Sequence, residues 1–266
     1  MLFRNELKFL KRLVVKVGSN VITNTDGSYD LPKLEGLVKD IYELRSAGVE
    51  VLLVSSGAVN VGRPFLRQNP KESIEYRQAA SSIGQPKLMQ KYCELFQASG
   101  ISCSQVLLTH DDFKSSTRRV NAINTIEVLF DNNIVPILNE NDTVSYEEIA
   151  LGDNDQLASK AAIMLKAQAL LIITSTDGLY DKHPGNPEAK FIKEVSLGHN
   201  LSSFEMDQID PVGTGGMQSK VEAMLEATRY GITGIISSKD LVPMILTPLS
   251  EERGTLFTPS KTEVPS

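Results

Sequence analysis

The stretch LVVKVGSN, residues 13–20, decides the fold. Leu13, Val14, Val15 and Val17 are apolar on consecutive positions, so this extended segment needs cover on both faces until Gly18 ends it. Strict alternation would instead mark a sheet with one wet face. The same signature returns in EVLLVSS (50–56), SQVLLT (104–109), NIVPILN (133–139), ALLIIT (169–174) and GIIS (234–237). Longer amphipathic runs lie between them. In 32–47, Pro32 suits a first helical position, and Leu34, Leu37, Val38, Ile41 and Leu44 form one stripe that stops before Gly48. Further helices are expected over 86–99, 117–131, 154–167 and 218–230. Strands and helices in alternation predict parallel strands joined by right-handed crossovers, and so an α/β fold with three αβα layers. Residues 178–212 break the rhythm with HPGNPEA and FIKEV, which predicts a hairpin and a lobe over the sheet.

The chain has 266 residues, 41% of them hydrophobic, enough for a real core. No repeat or low-complexity linker divides it. A single domain is expected over 1–260, with 261–266 as a disordered tail. The net charge of −6, without any Lys/Arg-rich run, argues against nucleic acid as a partner. The N-terminal MLFRNELKFLKR has no continuous apolar core or cleavage site, and no apolar run approaches the ~20 residues a membrane helix needs. A soluble cytoplasmic protein is expected, with Cys93 and Cys103 as buried thiols. His110, His183 and His199 are too widely spaced for a zinc site.

Ligands of open parallel sheets bind outside the carboxyl ends of the strands. Here those ends read KVGSN, SSGAVNVG, LTHDD, NENDT, TSTDGLY and SSKD, a concentration of glycines, hydroxyls, amides and carboxylates that turns alone do not require. Lys16 stands inside an apolar strand, where an ammonium is costly to bury unless it meets an anion. A side chain snorkelling from an edge strand to water is the other reading. The strand runs into Gly18 and Ser19, which favours a lysine aimed at a bound phosphate. Asn139-Glu140-Asn141-Asp142 and Gly152-Asp153-Asn154-Asp155 are the densest polar clusters. Helix capping accounts for one of them, but two clusters straddling a strand end and a helix start suit an amino group, Mg²⁺ or a lysine. GTGGMQSK (213–220) lacks the P-loop spacing, yet it leads into a helix and puts Lys220 in the first turn, a poor place for a cation unless an anion binds there. Two lysines, glycine turns and carboxylates together point to phosphoryl transfer.

VVKVGSNVIT, VSSGAVNVGR, NNIVPILNENDTV, LGDND, TSTDGLY and GTGGMQSK, in this order, closely resemble the glutamate 5-kinase family of the amino acid kinase superfamily. The resemblance implies a mainly parallel sheet of about eight strands, with the N-terminal part mainly for glutamate and the C-terminal part mainly for ATP. It implies Lys16, Lys220 and Asp155 as catalytic residues, the two lysines on the transferring phosphate and Asp155 holding them. Ser56, Asp142 and Asn154 would bind glutamate, with Gly57, Asn139 and Asp153 nearby. Lys16, Thr174, Ser175, Thr214, Gly215, Gly216, Met217, Gln218, Ser219 and Lys220 would bind ATP. Mg²⁺ accompanies the ATP phosphates, and no carboxylate is singled out for it. L-Proline as feedback inhibitor and a homo-oligomer, dimer or tetramer, are also implied. The family's usual Thr-Asp pair reads Thr174-Ser175 here, and no C-terminal PUA domain is expected after GTLFTPS. The alternatives are an N-acetylglutamate or aspartate kinase of the same superfamily and, from another class, a non-catalytic nucleotide-binding sensor.

Overall fold

The computed structural model describes residues 4–67, 73–144, 154–196 and 216–259. Its first half runs β1 (Arg12–Val17), α1 (Ser19–Ile22), α2 (Leu31–Ser46), β2 (Glu50–Ser55), α3 (Ala58–Gly62), α4 (Ile74–Ala98), β3 (Ser102–Leu108), α5 (His110–Lys114), α6 (Ser116–Asp131) and β4 (Ile134–Glu140). Then follow α7 (Asn154–Met164), β5 (Ala169–Thr174), β6 (Leu179–Tyr180), β7 (Phe191–Ile192) and β8 (Glu194–Ser196). The last elements are α8 (Met217–Arg229), β9 (Thr233–Ser238), α9 (Leu246–Ser250) and β10 (Thr255–Thr258).

Eight strands form one sheet in the order β3-β4-β2-β1-β5-β9-β10-β8. All neighbours are parallel except β9 and β10. The αβα sandwich expected from the unbroken apolar runs is therefore the observed architecture. Successive side chains of a strand face opposite ways. In β1, Leu13, Val15 and Val17 enter one core with Leu34, Leu37 and Ile41 of α2 and Tyr92 and Phe96 of α4. Val14 enters the opposite core, with Leu157 and Ala161 of α7 and Val221 and Met224 of α8. By this parity Lys16 shares the face of Val14, towards α7 and α8.

Three local expectations need correction. The helix expected over 86–99 starts at Ile74, with Ser73 as its cap, and Pro86 lies inside it. An internal proline removes a hydrogen bond and costs about 3 kcal/mol. Backbone contact with α3 holds the helix together: a Cβ on Gly84 would stand 1.8 Å from the Ala58 carbonyl oxygen, and one on Gly62 1.8 Å from that of Ala80. The two cysteines are not both buried. Cys93 is exposed and Cys103 half-buried, their Sγ atoms 3.4 Å apart, because β3 is an edge strand and its flank is open. Finally, the segment after β5 makes the hairpin β6–β7, but β8 returns to the main sheet beside β10. The rest of that expected lobe, 197–212, lies outside the described residues, as does the tail 261–266. Among the described residues no helix is long and apolar enough to cross a membrane.

Candidate active site

From β1 the sheet grows one way through β2, β4 and β3, and the other way through β5 and β9. The crevice at such a reversal, at the carboxyl ends of the strands, is where α/β sheets place ligands. Lys16 sits at this point, in register with Val54 of β2 and Ile172 of β5. Its Nζ lies 2.6 Å from Asp155 Oδ1. Lys220 Nζ, from the first turn of α8, lies 3.1 Å from Asp155 Oδ2. Asp155 is fully buried, and the two lysines are 5% and 8% exposed. Burial is the largest influence on this carboxyl and pushes its pKa up, but the two ammonium groups and their hydrogen bonds together hold it below the usual range. Within the triad two positive charges face one negative charge. Ser219 also reaches Asp155, donating from Oγ at 3.4 Å.

A second polar group lies beside this triad. Asn154 Nδ2 donates to Ser56 Oγ at 2.9 Å and to Asn139 Oδ1 at 3.0 Å. Asn139 Oδ1 also accepts from the Glu140 backbone N–H at 2.9 Å, while Asn139 Nδ2 donates to Gln85 Oε1 at 2.7 Å. Asn154 Oδ1 is buried and has no hydrogen-bond partner among the described residues. Asp142 accepts from Ser81 Oγ of α4. Burial, partly countered by Ser81 and the charge of Arg77, raises the pKa of Asp142. Gly57 turns the chain from β2 into α3 at φ +108°, where a Cβ would press on Ile22 at 3.2 Å. Ser55, at the end of β2, shares a hydrogen bond of 2.8 Å with the buried Tyr92 hydroxyl of α4.

The expected nucleotide side is described in part. Thr174 is buried at the end of β5, its carbonyl accepting from the Lys239 N–H at 2.8 Å, and Ser175 is exposed. Gly216 caps α8 with extended backbone. Met217 turns into the core with Val221, and Gln218 donates to Glu222 of its own helix at 2.8 Å. Asp153, Thr214 and Gly215 lie outside the described residues. Ser81 and Gln85 are contacts that sequence reasoning missed, because the helix was expected to start at 86 and the preceding turns of α4 went unrecognised. Tyr92, inside the expected helix, carried no signal beyond an ordinary core aromatic. Among the described residues no three His, Cys, Asp or Glu side chains converge on a metal position. Asp155 is already engaged by two lysines.

Residues 11–238 match the amino acid kinase family. A glutamate 5-kinase of Bacteroides thetaiotaomicron is 40% identical over 85% of this chain, which spans 63% of that relative's length. Glutamate 5-kinase 2 of Bacillus subtilis is 43% identical over 93% of the chain and 68% of its own length. A glutamate 5-kinase of Clostridium acetobutylicum is 39% identical, with 95% of this chain and 96% of that one aligned. Among solved structures, the carbamate kinase of Giardia lamblia bound to AMP-PNP superposes with a TM-score of 0.67 over 95% of this chain and 99% of that one, at 19% identity. The UMP kinase of Ureaplasma parvum gives 0.63 over 94% and 99%, at 18% identity.

Proposed function

This chain belongs to the amino acid kinase family, and from that premise we propose that it transfers the γ-phosphoryl group of ATP to the γ-carboxylate of L-glutamate. The products are L-glutamyl 5-phosphate and ADP, the first step of proline biosynthesis. The observation that carries the reading is the buried Lys16–Asp155–Lys220 triad standing beside the Asn154–Asn139–Ser56 amide chain. A side-chain carboxylate with an ordinary pKa of about 4.3 is already ionised at neutral pH, so the nucleophile needs no general base. Its oxygen attacks the γ-phosphorus as the bond to the bridging oxygen of ADP breaks, and no proton moves. The obstacle is repulsion between two anions. Lys16 and Lys220 meet the charge on the moving phosphoryl group, and Asp155 holds both ammonium groups at fixed positions. The charge neutralisation that Mg²⁺ would supply, if carried in with the nucleotide, would add to that of the two lysines.

Asp142 and the open acceptor of Asn154 suit the α-ammonium group of free glutamate, which N-acetylglutamate lacks. Ser56, Gly57, Asn139 and Asp153 complete the acceptor side in this reading, and Thr174, Ser175 and residues 214–220 the ATP side. One domain over 1–260 carries both, in the cytoplasm, as a homo-oligomer with L-proline as feedback inhibitor. Incubation with ATP, Mg²⁺, glutamate and hydroxylamine should yield γ-glutamyl hydroxamate, because hydroxylamine traps the acyl phosphate. Hydroxamate formed from N-acetylglutamate and not from glutamate would overturn the substrate assignment.

A further inference from the structure

Gln85 lies one turn beyond Ser81 on α4 and is 8% exposed. We propose that Gln85 is a positioning residue: by accepting from Asn139 Nδ2 it holds the Asn139 amide in place, and through it the Asn154 amide, whose Oδ1 is presented to the ammonium group of the acceptor. The inference rests on the glutamate reading above and deepens it.

An amide side chain has a donor end and an acceptor end, and its neighbours decide which way it faces. Asn139 Nδ2 donates to Gln85 Oε1 at 2.7 Å, so Gln85 gives the donor end of Asn139 a buried acceptor. The Glu140 backbone N–H can only donate, and it meets Asn139 Oδ1 at 2.9 Å. With both ends of Asn139 assigned, Oδ1 has capacity for one more donor, and Asn154 Nδ2 fills it at 3.0 Å. The same Nδ2 reaches Ser56 Oγ at 2.9 Å. Both contacts use the nitrogen, so the oxygen of Asn154 is left as a buried acceptor with no partner among the described residues. A buried acceptor without a donor is costly, and a substrate ammonium group removes that cost. Substrates without the ammonium do not. The polarity of the chain thus becomes a preference for amino acids over plain dicarboxylates.

Gln85 is rigidly placed for this role. Its neighbour Gly84 packs against the α3 backbone so closely that a Cβ would stand 1.8 Å from Ala58 O. α3 itself follows Gly57 and Ser56, so one packed unit carries both ends of the amide chain.

The test compares glutamate with glutarate, the same carbon chain without the α-amine, in steady-state kinetics and in calorimetric binding. Gln85→Met keeps the length but removes the acceptor. It should raise KM and Kd for glutamate about 10-fold, as expected for loss of one buried hydrogen-bond partner, leaving kcat, the KM for ATP and all glutarate parameters within about twofold. Gln85→Glu retains an accepting oxygen and should recover most of the preference. Should Gln85→Met fail to fold, Gln85→Ala is expected to move the preference in the same direction. A folded variant lacking the acceptor that keeps the wild-type preference for glutamate over glutarate overturns the inference alone. A wild type that neither binds nor phosphorylates glutamate overturns the functional reading and this inference together.

Discussion

At the scale of single residues, Asp155 is the centre of the site. It joins two lysines far apart in the chain, a meeting that the family resemblance implied and that local sequence alone does not show. In the proposed mechanism Lys220 acts on charge that develops during transfer. Lys220→Ala should therefore lower kcat by about 10²–10³ while glutamate KM changes little. A steady-state comparison checks this, and a near-normal kcat would remove Lys220 from the chemistry. Asp155 also leaves a mark on stability. Its folded pKa lies below the ordinary value, so its contribution is present above about pH 4 and fades as pH falls through the lower, folded value. The gap in melting temperature between wild type and Asp155→Asn should be full at neutral pH and close in stronger acid. Lys16 was legible in the sequence because a lysine among Val15 and Val17 is an anomaly. Gln85 was not, since a glutamine on a helix is ordinary until its partner is known.

Among the elements, α4 departs most from what its sequence suggests. Helix propensity places a boundary at Pro86, but contact with α3 overrides it. Ser81 and Gln85 sit on the segment that the boundary hides, so the second layer of the site was lost with it. Gly84→Ala forces a methyl group into the Ala58 carbonyl and should cost about 1–3 kcal/mol or more, read as a lower melting temperature. Helix α2 offers a pH-dependent counterpart. Asp40 accepts from the Ile245 N–H at 2.7 Å, and burial, the largest influence, raises its pKa to about 6. Between about pH 4 and 6 the folded state holds the proton that the unfolded state has released, so this group adds stability as pH falls. The melting temperature of wild type relative to Asp40→Asn should rise as pH drops from 7 to 4.5. A constant difference would show that Asp40 carries no raised pKa.

For the whole molecule, consecutive apolar strands and intervening amphipathic helices were enough to read the layers and the parallel sheet. The strand order was not readable from them, because periodicity records which faces are covered and not which strands are neighbours. Nor did it show the antiparallel β10 or the return of β8 to the sheet edge. The candidate site residues could be grouped from the sequence because parallel strands put their carboxyl ends at one edge, and among the described residues Lys16, Ser56, Asn139, Asn154, Asp155 and Lys220 do meet there. The pairing of Lys16 and Lys220 through Asp155, which residue spacing alone does not show, was implied by the family resemblance, and the contacts lie at 2.6 and 3.1 Å. The central claim is transfer of phosphate to the side-chain carboxylate of an unblocked amino acid, and one measurement tests it most directly. It is kcat/KM for ATP-dependent phosphorylation across glutamate, N-acetylglutamate and aspartate, followed by ADP release. Glutamate should exceed both others by at least about 10²-fold, because the alternatives leave a buried acceptor unmet or misplace the reacting carboxylate. An equal or higher value for N-acetylglutamate or aspartate would contradict the account.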